Sequence, residues 1–166
     1  MLETLIAQSF SGTAPDDALL RLVVAILLGG VIGFERAIHA RTAGLRTHIL
    51  VSLASCLFAL LTFEIMARFH GEVSDPLRLI EAVTSGVAFL AAGSIILSGG
   101  NVLGLTTGAG MWLAGAIGLA CGIGALALAV LATVIVVPVL WALRGVSHRI
   151  ENTHRDPAEP ERDRQA

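Results

Sequence analysis

Between Glu81 and Arg144 the chain carries no charged residue: Ala82 to Leu143 is an unbroken run of 62 uncharged residues. One α-helix needs only about 20 apolar residues to cross the ~30 Å hydrocarbon core of a bilayer, so the run is too long for a single span. It also lacks the polar face that a water-soluble helix or strand has to present. In lipid the backbone must satisfy its own N–H and C=O groups, and a helix does so within one segment. Composition agrees. Only 14% of the 166 residues are charged and 55% are hydrophobic, with a mean hydropathy of +0.80, whereas a soluble domain carries about 25% charged residues. The expected fold class is an all-α integral membrane protein.

Turn and charge signals divide it into about five transmembrane helices packed as a compact bundle. The first is expected over Asp16 to Ala37, with Pro15 and two aspartates suiting a helix start. The second is placed at Arg46 to Phe69 and the third at Asp75 to Leu97, before the "SGGN" cluster at 98–101. The fourth begins at Val102 or Thr106 and ends at Cys121, where "GIG" at 122–124 permits a tight reversal. The fifth covers Ala125 to Arg144 with Pro138 inside it; a four-span alternative makes 98–107 a re-entrant loop. This gives an outer segment at 1–15, a membrane domain at 16–144 and a polar tail at 145–166. The tail buries too little apolar surface to order beyond a short helical extension. The first residues lack the basic stretch of a cleaved signal peptide, so the first span is expected to insert and remain.

The link "GFERAIHARTAGLRTHIL", residues 33–50, interrupts two apolar stretches with Glu35, Arg36, Arg41, Arg46 and two histidines. Arginine in short loops is retained on the cytoplasmic side. With that link inside, eight of the 11 arginines lie inside and Arg21, Arg68 and Arg78 lie outside. The expected topology is therefore N-out, C-in.

Little hydrophobic force draws helices together in lipid, so small residues that let backbones approach become the packing surface. Ala25, Gly29 and Gly33 form such a stripe, as do Ala114, Gly118 and Gly122, and Gly93 is placed in the same role; these are read as seams within one chain, with homo-oligomer contact as the other use. One of Trp112 and Trp141 is expected at the membrane interface, and Trp112, which lies deeper, in a packed position. Cys56 and Cys121 sit in apolar stretches as small buried hydrophobes. The net charge of −2 gives no footprint for nucleic acid. Neither a nucleophile–base arrangement nor a phosphate-binding loop is visible, so no enzyme activity and no cofactor are expected.

Glu64, Arg68, Asp75, Arg78 and Glu81 fall together at the predicted outer end. They suit an ion-pair set tying the second helix to the third. Glu64, Asp75 and Glu81 are also weak metal candidates, since hard cations such as Mg2+ take carboxylate oxygens.

Four blocks of this sequence are similar to the MgtC/SapB family of membrane proteins: "GFERA", "ARTAGLRTHILVSL" and "LF" within 30–58, "DPLR" at 75–78, "SGVAFLAAGSII" at 85–96 and "VLGLTTGAGMWLAGAIGLACGIG" at 102–124. Their order and spacing match from about Ala18 to Leu143. Ala88 and Ala91 replace two glycines of the family pattern, and Glu81 is an additional charge. The resemblance implies a multi-pass protein of the bacterial inner membrane, linked to Mg2+ homeostasis, low-Mg2+ adaptation and, in pathogens, virulence. It implies regulation through contact with other inner-membrane proteins, including the ATP synthase and transport ATPases. Many members also carry a cytoplasmic ACT-like C-terminal domain, in place of which this chain has the short tail. Glu35, Arg36, Arg41, Arg46, Thr47, His48, Asp75, Arg78, Thr106 and Thr107 fall in the matching motifs. The cytoplasmic residues among them form the expected partner-docking face; the alternative function is a divalent-cation transporter using the acidic cluster.

An alkaline phosphatase domain fused after Arg144 should be inactive, and a cytoplasmically active reporter at the same junction should be active. The reverse pattern would invert the topology.

Overall fold

The computed structural model describes residues 11–38, 43–69, 75, 77–98 and 101–153. It is an all-α bundle of five helices: α1 (Pro15–Ile38), α2 (Leu45–Arg68), α3 (Leu77–Gly93), α4 (Leu105–Gly122) and α5 (Leu126–Thr153). A small antiparallel hairpin of β1 (Ile96–Ser98) and β2 (Asn101–Leu103) joins α3 to α4. By length and hydropathy α1, α2 and α4 can each cross a bilayer. At 17 residues α3 is ~26 Å long, the lower limit for a span. The apolar part of α5, Leu126–Ala142, is of the same length. Large apolar side chains cover the outside of the bundle: Phe89 is 80% exposed and Trp141 72%. A surface of this kind belongs in hydrocarbon.

α1, α2 and α4 form the centre, with α3 laid against α4 and α5 against α1 and α4. Glycine sets the spacing. At Gly29 a Cβ would stand 2.7 Å from Ser52 Cβ, and at Gly33 it would stand 2.8 Å from Leu45 Cα. At Gly118 a Cβ would overlap the Ser52 carbonyl oxygen, and at Gly122 it would come within 2.6 Å of the Cys56 carbonyl. α1 and α4 therefore both press on α2, on adjoining faces that share Ser52. The Ser52 hydroxyl donates across the seam to the Ala25 carbonyl at 2.8 Å. Such contacts replace the missing hydrophobic force with dispersion and polar bonds.

Several expectations need correction. α3 ends at Gly93 instead of Leu97, because Ser94 and Ile95 close the helix with N–H bonds to Ala91 and Ala92 and the residues that follow, Ile96–Ser98, pair as β1. Leu97 pairs with Val102 and Ser98 with Asn101, so the segment between α3 and α4 is an antiparallel hairpin. Gly93 does not pack: a Cβ there would meet nothing within 4 Å. Trp112 is 53% exposed between α3 and α4, so it is not a packed core residue. α5 has Pro138 inside it and runs past Arg144 to Thr153, which is the helical extension expected at the start of the tail and no departure from it. Residues 1–10 of the outer segment and 154–166 of the tail lie outside the described residues.

Replacing Gly118 by Ala should cost about 3 kcal/mol or more, since two backbones would have to separate. Gly86→Ala, where a Cβ meets nothing within 4 Å, should change stability by less than about 1 kcal/mol. Thermal unfolding of both variants in detergent, with equal losses, would refute this account of the seam.

Candidate functional site

The polar residues of the arginine-rich link converge where α1 ends and α2 and α4 begin. Arg36 occupies the last turn of α1 and is only 5% exposed. Its Nη2 donates to Thr106 Oγ1 in the first turn of α4 at 3.0 Å. The backbone brings Thr106 to this place through Gly104, whose φ of 90° lies in the left-handed region. A Cβ at Gly104 would also overlap the Ser94 carbonyl oxygen, so glycine is required on both counts. Thr107, beside it, is buried.

His48, one turn into α2, is fully buried. Its Nδ1 lies 2.8 Å from the Gly44 carbonyl. A carbonyl only accepts, so Nδ1 carries a hydrogen and donates it, which leaves Nε2 as the other polar atom of the ring. That nitrogen has no hydrogen-bond partner among the described residues. It faces Gly110 of α4, where a Cβ would stand 3.0 Å from Nε2 and 3.8 Å from Arg36 Nε. Gly110 thus lets an imidazole and a guanidinium share one narrow space between three helices. Around this joint, Glu35 is half-buried, Thr47 is half-buried and Arg46 is exposed. Arg41 lies outside the described residues.

At the opposite end the acidic residues are dispersed into structural tasks. Glu64 holds the chain ahead of α1: Oε2 accepts from Ser11 N and Oγ at 2.7 and 2.9 Å, and Oε1 accepts from Gly12 N and Thr13 N, each at 3.0 Å. Asp75 accepts from the Leu77 N–H at 2.9 Å and so caps α3. Arg78 and Glu81 are exposed on α3. Among the described residues no three His, Cys, Asp or Glu side chains gather as a metal site would require. Glu64, Asp75 and Glu81 are not brought together into one ligand set.

Two groups were not singled out from the sequence as site residues. Gly110 reads there as one more small residue, and only the approach of His48 reveals its part. Arg21 was counted for topology alone. It donates from Nη1 to the Gly122 carbonyl at 2.8 Å and pairs with Asp17, closing the open C-terminal end of α4. A charge one turn inside a span was the available signal, because such a residue needs a partner.

Arg36→Met would leave Thr106 without its charged donor, at an expected cost of about 1.5–3 kcal/mol. Arg46→Met, on the exposed surface, should stay within about 0.5 kcal/mol of the unmodified protein. Unfolding measured in the same detergent checks the difference.

Comparison with known proteins follows the same residues. The MgtC family matches residues 22–149, which contain the whole joint. Protein MgtC of Brucella abortus (strain 2308) is 40% identical over 130 residues, covering 78% of this chain and 52% of that protein. YhiD of Escherichia coli (strain K12), named as a candidate magnesium transporter, is 34% identical over 140 residues, covering 82% of this chain and 65% of YhiD. Protein MgtC of Salmonella typhimurium (strain 14028s / SGSC 2262) is 38% identical over 132 residues, or 80% of this chain and 54% of that protein. The chain therefore spans between half and two thirds of the length of these relatives. No solved structure matches it. With the family match running through α1 to α5 and two relatives near 40% identity, this chain belongs to the MgtC family.

Proposed function

We propose that this protein is a small regulator of MgtC type in the bacterial inner membrane. It is linked to Mg2+ homeostasis and adaptation to low Mg2+, and it acts by contact with other membrane proteins rather than by catalysis. The docking face is the end of the bundle formed by Arg36, Arg46, Thr47 and the first turn of α4. The arginine distribution supports placing that end in the cytoplasm. Virulence, where the host organism is a pathogen, would follow from the same adaptation.

One observation carries this reading: how polar groups are distributed along the bundle. At the link end Arg36, His48 and Thr107 are buried, Arg36 donates to the exposed Thr106, and Arg46 is exposed beside them. Deeper in the bundle, the hydroxyls of Ser52 and Ser55 are bound to the carbonyls of Ala25 and Val51. Gly29 and Gly118 bring the helices together at Ser52, and Gly122 does so one turn further on, at Cys56 and Ala59. A conduit for a hydrated divalent cation needs oxygen ligands or water along its length, and the described interior of α1, α2 and α4 supplies close-packed backbone. A joint that displays the exposed Arg46 at its edge suits recognition of an acidic group on a partner.

Transport of Mg2+ is the second reading, favoured by the name that YhiD carries. Two measurements separate them. Crosslinking in the native membrane should capture a protein partner with the unmodified chain and lose it with Arg46→Ala at equal abundance. Purified protein in liposomes should give no Mg2+ flux above empty vesicles. Flux that Glu81→Gln abolishes would establish transport instead, and capture unchanged by Arg46→Ala would remove the docking face.

A further inference from the structure

We draw no further inference here: the strongest candidate, the apolar groove between α2 and α3 lined by Val51, Phe58 and Ile65 of the one and Leu79, Ala82 and Gly86 of the other, carries none because nothing in the structure shows what covers it.

Discussion

The close approach of α4 to α2 at Gly118 is the contact on which the rest of the bundle depends. Lipid tails are as apolar as leucine, so burying leucine between helices yields little in a membrane. What remains is van der Waals contact, which falls off within an ångström of its optimum. Only residues without side chains let backbones come that near. Gly118 places the α4 axis directly on Ser52 of α2, and Gly29 brings α1 to the same serine from its other side. Ser52 then spends its hydroxyl on the Ala25 carbonyl, so that one small residue connects three helices.

The link-end joint exists because of that spacing. Arg36 and His48 are residues that a membrane ordinarily keeps at its borders, and here they are buried. Burial of a guanidinium is tolerable only with partners, and Thr106 supplies one at the distance that the α1–α4 crossing sets. His48 reaches Gly110 for the same reason. The chemistry of the joint is thus subordinate to the packing beneath it, and its neighbours Arg46 and Thr47 are displayed on a rigid base.

The two ends of the molecule differ in kind. At the link end the polar side chains converge on one another. At the other end they turn to the backbone: Glu64 to residues 11–13, Asp75 to the start of α3, Arg21 to the end of α4. Carboxylates used in this way fix loops and leave fewer oxygens for a cation. α3 lies over this second arrangement with little burial of its own, and its glycines at 86 and 93 stand apart from the interlocked glycines of α1 and α4.

The sequence by itself determined the solvent, the number of helices and the family. A 62-residue run without charge is compatible only with lipid, and turn clusters cut it where helices end. It also disclosed the packing stripes of α1 and α4, because a four-residue period of small residues is a one-dimensional pattern. What it could not rank was one glycine against another. Gly93 and Gly118 look alike in a string of letters; one faces open space and the other a backbone carbonyl. Nor could it show that Arg36 meets Thr106 across 70 positions, or that Glu64 and Asp75 would turn to separate backbone N–H groups. Those outcomes belong to the tertiary structure. Periodicity fixes which face of a helix a residue occupies, but the neighbour it meets there depends on how the helices cross.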